Sequence, residues 1–386
     1  MDAANSTTTQ ILVVSGRCPT PHERRGENQP EKRHSLILAR LKRTECRAGA
    51  IVTVDAAVPD PGSAALDRAV TAGVLSAARL DFFRHVYAHF RRDPHPDDSF
   101  FSDETADRAG IVPYFFIRTP ATEAEPMERR LAWHATDALT PIFDDLPGAL
   151  ACDAAVCQTA AKLVACEGRD CFALVIHPGH HAAYDRYGGY CFVNNAVFIM
   201  RLLEEHGKHP FLIDVDYHAG DGSASLLGDA VGDCSSRFVS LHAQEDYPFL
   251  PPGLPWAIGV PPCATWVEYE PLLRVALARR PAACDCLVLS IGFDTLDGDP
   301  DARSGHRLML TPADFDSMRE VLRETGLPLC AVQEGGYNLE AIPDAAEAFW
   351  SGLSVSARSA SGRAGQRGLD GHAEGDGCLT TDENAM

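Results

Sequence analysis

From Cys171 onward the chain is a series of short apolar runs, each closed by a cluster of polar residues. The runs cover Cys171 to Ile176, Phe211 to Val215, Phe238 to Leu241, Cys286 to Ile291 and Pro328 to Val332. They are continuous rather than alternating, the pattern of strands buried on both faces of a parallel sheet. Between them apolar positions recur at helical spacing. Asn194 and Asn195 precede Val197, Met200 and Leu203, and Gly207 is placed to end that helix in a left-handed conformation. Thr311 is set as an N-cap, with Pro312 and Asp314 in the first turn and Gly326 past the end. Strand alternating with helix predicts an α/β fold: a single-domain, three-layer α/β/α arrangement around a mostly parallel, doubly wound sheet.

The N-terminal half is less regular. Leu36, Leu38 and Leu41 suggest a helix, Ile51, Val52 and Val54 a short strand, and Asp81 to Phe90 an amphipathic helix. Arg91 to Asp107 and Thr119 to Glu128 read as loops; Glu123, Glu125 and Glu128 in the second read as solvated carboxylates. A helix follows over Leu131 to Leu139. The expected organisation is a flexible N-terminal arm over 1–33, a catalytic domain over 34–354 and a disordered acidic tail over 355–386.

Composition narrows the partners. Among 386 residues the formal net charge is -20, with a pI near 5.1, which argues against direct nucleic-acid binding, since that rests on Lys and Arg neutralising phosphates. A cationic or neutral partner fits better. The 13 cysteines include no CxxC pair, so free thiols in a reducing compartment are expected, with Cys152, Cys157, Cys166 and Cys171 as buried thiols rather than zinc ligands. No secretory signal opens the chain and no run of 18 apolar residues suggests a membrane span. The expected location is cytoplasmic, with the nucleus as the alternative through a weak basic cluster at Arg24, Arg25, Lys32 and Arg33. An oligomer is compatible with all of this.

In open α/β sheets ligands bind at the carboxyl ends of strands, and here every strand end carries chemistry. The five apolar runs are followed in turn by HPGHH, with His180 and His181; by DVDYHAGDG, with Asp214, Asp216, His218 and Asp221; by Ser240, Leu241 and His242; by GFD, with Asp294; and by QEGGYN, with Gly335, Gly336 and Tyr337. Buried carboxylates are costly unless paired or metal-bound. Asp216 and His218, two apart on a segment leaving the strand, with Asp294 from another strand end, make an open catalytic metal site that suits zinc or iron(II). The tandem histidines, with Asp214 and Asp221 to hold them, suit proton transfer. Tyr337, after two glycines, suits oxyanion stabilisation.

HPGHHA, GGYCFVNNAV, DVDYHAGDG, SLH, SIGFDTLDGDP and QEGGYN, in this order, resemble the zinc-dependent histone deacetylase superfamily, which includes acetylpolyamine amidohydrolases and shares its fold with arginases. The resemblance covers roughly residues 30 to 353. It implies zinc on Asp216, His218 and Asp294, with His181 as general base and acid supported by Asp221. His180 becomes its electrostatic partner, supported by Asp214, and Tyr337 polarises the carbonyl. It further implies that Gly189 accepts the substrate amide through its backbone, that Tyr190, Tyr247 and Gly336 contact substrate, and that a structural potassium ion sits near Asp214, Ser240 and Leu241. The expected reaction is removal of acetyl or other acyl groups from acetyl-lysine peptides and proteins or from acetylpolyamines. The alternatives are a silent acyl-lysine-binding protein of the same fold and an arginase-like two-metal hydrolase. Ala219 stands where many members carry a second histidine, and Gln333 replaces a common apolar residue.

Overall fold

The computed structural model describes residues 11–16, 29–48, 51–56, 64–92, 110–228, 233–302 and 305–351. The tail expected over 355–386, most of the arm and most of the Arg91 to Asp107 loop lie outside them. Eight strands form one sheet in the order β2-β1-β3-β8-β7-β4-β5-β6. They are β1 (Ile11–Ser15), β2 (Ile51–Asp55), β3 (Cys171–Leu174), β4 (Pro210–Asp214), β5 (Phe238–Ala243), β6 (Ala257–Val260), β7 (Cys286–Ile291) and β8 (Leu329–Gln333). Every pairing is parallel.

Alternation along each strand sends side chains to opposite layers. Leu12, Ala173, Leu212 and Val288 join a core with α2 (Ala64–Thr71), α3 (Ala77–Arg92), α4 (Met127–His134), α5 (Leu146–Glu167), α6 (Asn195–Glu205) and α7 (Asp221–Leu227). Val13, Phe172, Ile213 and Leu289 join a second core with α1 (Pro30–Ala48), α8 (Trp266–Ala278), α9 (Pro312–Arg323) and α10 (Ile342–Ser351). This gives the three layers. Local punctuation holds: the Asn194 side chain accepts from Val197 N, Thr311 and Asp314 form a capping box, and Gly207 and Gly326 are left-handed.

Several expectations are corrected. Ile11–Ser15 is not part of a loose arm but an interior strand between β2 and β3; fully buried and only five residues long, it carries no alternation to betray it. The helix expected over Leu131 to Leu139 ends at His134, because Ala135 turns extended and pairs with Tyr187. The edge strand β6 has no sequence signal, being four residues with Gly259 inside. By length and composition α5 could cross a membrane, yet most of its apolar window is buried within the fold; small Ala and Cys residues let it pack on all sides. Cys152, Cys157 and Cys171 are buried and free, but Cys166, in the last turn of α5, is exposed, and Cys263 is disulfide-bonded.

Candidate active site

The carboxyl ends of β3, β4, β7 and β8 surround one cavity of about 270 Å³, into which His180, His181, Gly189, Tyr190, Asp216, His218, Tyr247, Asp294 and Tyr337 all face. β4 and β7 are neighbours in the sheet, so Asp216 and Asp294, 78 positions apart in the chain, meet across one strand spacing. The ligand atoms of Asp216, His218 and Asp294 all lie within 4.8 Å of one another, with His218 Nδ1 3.5 Å from Asp216 Oδ1 and 3.6 Å from Asp294 Oδ2.

These groups fit a divalent cation. Among the described residues Asp294 Oδ2 is buried without a hydrogen-bond partner, which an ionised oxygen tolerates poorly unless something cationic meets it. Gly292 and Gly335 make room: a Cβ on Gly292 would lie 2.1 Å from Asp216 Oδ2, and one on Gly335 2.2 Å from Asp294 Oδ2. Burial and the Asp216 charge push Asp294 up to about 8, while His180 and His218 overcome burial to hold Asp216 well below the usual carboxylate range. One imidazole and two carboxylates leave coordination positions open, the donor set of a catalytic rather than a structural site.

Two histidine–carboxylate pairs flank the cluster. His180 Nδ1 lies 3.0 Å from Asp214 Oδ2 and His181 Nδ1 2.7 Å from Asp221 Oδ1, so in each ring Nε2 is the other edge. Their charges diverge. Against its burial, His180 is raised by Asp216 and Asp214. Burial lowers His181 to about 4, helped by the charge on His180. Burial also holds the Tyr337 phenol well above its ordinary value, keeping it protonated as a donor. Gly189 has φ 54°, and a Cβ there would lie 2.4 Å from His181 Cδ2, so only glycine brings this backbone against the histidine. The Tyr247 ring makes T-shaped contacts with the His181 ring at 5.0 Å and the His218 ring at 5.9 Å between centroids, and Tyr190 meets Tyr337 at 5.8 Å. Ser240 pairs with Asp214 in the sheet register, with Leu241 next to it; both lie outside the cavity lining. Gly335 lines the cavity, and the carbonyl of the neighbouring Gly336 accepts from Arg33 Nη1 at 3.0 Å.

Sequence reasoning missed the residues that hold this geometry. Buried Glu334 Oε2 accepts from Gly179 N (2.6 Å) and His180 N (3.1 Å), tying β8 to the histidine turn. Gln333 Nε2 donates to the carbonyls of Glu334 and Gly335 at 2.9 and 3.0 Å, which accounts for its place in the turn. Asp299 accepts from Tyr337 N at 2.7 Å and Asn338 N at 2.9 Å. Arg33, treated above as part of a basic cluster, is buried with its guanidinium 5.7 Å from the Tyr337 ring centroid. Asp137 Oδ2 accepts from Gly189 N at 2.6 Å. Polar residues next to a glycine turn were the available signal for Glu334 and Gln333; nothing in the sequence singles out Arg33 or Asp137. Of the loop carboxylates, Glu125 accepts from Thr122 N at 2.6 Å and pairs with Arg129.

The histone deacetylase domain family matches residues 115–353. Acetylpolyamine amidohydrolase 2 of Pseudomonas aeruginosa is 31% identical over 240 residues, 58% of this chain and 68% of that protein. Human histone deacetylase 7 is 27% identical over 219 residues, 51% of this chain and 23% of that protein. Among solved structures, an acetylpolyamine aminohydrolase from Burkholderia pseudomallei superposes with a TM-score of 0.71 at 23% identity, covering 90% of this chain and 99% of that one.

Proposed function

The chain belongs to the histone deacetylase family, an amidohydrolase of the deacetylase kind, and from that premise we propose that it hydrolyses the acyl amide of a cationic acetylated amine with a zinc ion on Asp216, His218 and Asp294. Bound there, zinc would supply Lewis-acid polarisation of the acyl carbonyl and would acidify a water. His181, neutral near pH 7, is placed to take a proton from an attacking water at Nε2 while Asp221 holds Nδ1–H, and to deliver it to the leaving nitrogen. His180, kept cationic between Asp214 and Asp216, stabilises negative charge developing beside it. The Tyr337 phenol donates to the developing oxyanion. Tyr190 and Tyr247 flank the acyl-bearing chain, and the Gly189 carbonyl accepts the amide N–H. A potassium ion near Asp214, Ser240 and Leu241 would brace the base of the site.

The observation that carries this reading is the convergence of a metal-ligating triad, two histidine–carboxylate pairs and a buried phenol on a single cavity. For substrate, relatives named for acetylpolyamines and for histones both support an acetylated amine. Asp137, Asp246 and Asp301 on the cavity wall favour a positively charged tail. The test offers the zinc-loaded protein N-acetylputrescine, N8-acetylspermidine and an acetyl-lysine peptide. Hydrolysis of at least one is expected. Comparable turnover of all three would sink polyamine selectivity, and no turnover of any would sink the hydrolase reading. In the same assay Tyr337→Phe should lose roughly 10²–10³-fold in kcat, the range for removing one oxyanion donor, with zinc content unchanged.

A further inference from the structure

Helix α3 carries a charge that its surroundings do not balance. Arg79, near the start of the helix, is 0% exposed. Its Nη1 donates to the Arg186 carbonyl, whereas Nε and Nη2 are buried with no hydrogen-bond partner among the described residues. Those two N–H groups point the same way from one edge of the guanidinium, the edge that grips a carboxylate or another anion bidentately. Arg79 makes no ion pair among the described residues. Burial lowers it to about 9, with Asp185 opposing from beyond ion-pair range, so the group keeps its charge near pH 7.

A neighbouring arginine in the same setting is balanced. Arg130 is 5% exposed, and its Nη2 donates to Asp81 Oδ2 at 2.9 Å and to the Ala78 carbonyl at 3.0 Å. Its guanidinium lies 5.7 Å from the Phe82 ring centroid, as that of Arg79 lies 5.8 Å from Phe83. The two phenylalanines pack together at 5.7 Å, so both cations share one aromatic cluster and only Arg130 has a carboxylate. Tyr187, 5.5 Å from Phe83 between ring centroids, adds a hydroxyl that is also buried and without a partner among the described residues. His134 stays neutral, because burial lowers it to about 4. A water molecule would satisfy the two N–H groups of Arg79 and leave its charge as it is. A cation in apolar surroundings is costly unless a counter-charge meets it, and donors this deeply enclosed suit a small one.

We propose that the Nε–Nη2 edge of Arg79 is a binding site for a small monovalent anion of the chloride class. The ion accepts both N–H groups and cancels the buried charge, which fixes the guanidinium on one edge while Nη1 holds the Arg186 carbonyl on the other. Arg186 leads through Tyr187 and Gly188 to Gly189, whose backbone lies against His181. An occupied site therefore steadies the turn that borders the catalytic cavity. Binding of this kind does not depend on the reaction proposed above.

The test melts the full-length, zinc-loaded protein in sodium chloride and in sodium gluconate at equal ionic strength. A ligand that binds only the native state raises the melting temperature. Arg79→Met keeps a long side chain and removes both the donor edge and the charge. Exchanging gluconate for chloride should raise the melting temperature by at least about 2 °C more in wild type than in this variant. Equal responses of the two proteins would overturn the proposal. If Arg79→Met does not fold, wild-type crystals grown in sodium bromide decide: anomalous scattering from bromide is expected at the Nε–Nη2 edge, and a water molecule there instead would also overturn it.

Discussion

Asp294 has one oxygen receiving Tyr217 N at 3.0 Å and another that is buried with no hydrogen-bond partner among the described residues. The second oxygen faces Asp216 and His218, and its burial makes sense with a cation there. Asp294→Asn should therefore lower the bound metal, read by elemental analysis, well below that of wild type, while the melting temperature measured without metal near neutral pH stays about level, because a carboxyl pushed up to about 8 is already mostly neutral there. At this scale the sequence was most informative where residue type dictates chemistry: two aspartates and a histidine at strand ends have few other uses. It was least informative where a residue acts through backbone it touches. Gln333 was visible only as a departure, since its two bonds to the glycine-turn carbonyls depend on how the chain folds back on itself. Arg33 reaches the Gly336 carbonyl across 303 positions, a contact no local pattern encodes.

Helix α4 ends in His134, whose Nδ1 lies 2.8 Å from the Asp185 carbonyl oxygen and whose ring lies 4.9 Å from that of Phe82. Burial lowers this histidine from 6.5 to about 4, so it folds neutral. The unfolded chain takes up the proton first as pH falls, so the contribution is complete above about pH 6.5 and is lost towards pH 4; at about 1.4 kcal/mol per unit it reaches roughly 3 kcal/mol. The melting temperature of wild type should drop across that window, and His134→Gln, which cannot titrate, should show a shallower drop. Elements with strong caps were readable: the Thr311–Asp314 box and the Asn194 cap are local devices, and the structure uses both. The C-terminal limit of α4 was not readable, because Ala135 leaves the helix to pair with Tyr187, 52 positions away.

Over the whole molecule, the layered fold followed from the order of buried runs and amphipathic helices, but its N-terminal limit did not. β1 lies between β2 and β3, and its Ile11, Leu12, Val13 and Val14 are buried. At about 1.5–3 kcal/mol per buried aliphatic side chain, and as an upper bound, these four contribute on the order of the net stability of a domain. A chain lacking residues 1–28 should lose the cooperative melting transition of the intact protein, which circular dichroism during heating would show. The position of the site within the sheet has a further consequence. The proposed cation ligands follow β4 and β7, and Gly335 follows β8, whereas β2 and β6 are edges. A bound ion adds free energy only against openings that break its site. Removing the metal should therefore speed deuterium uptake by amides of β4, β7 and β8, while uptake at β2 and β6, which can fray with the ligands still in place, stays as it was. Mass spectrometry of peptic fragments would read that contrast from one strand to the next, and equal acceleration at the edges would mean that the sheet opens as a unit.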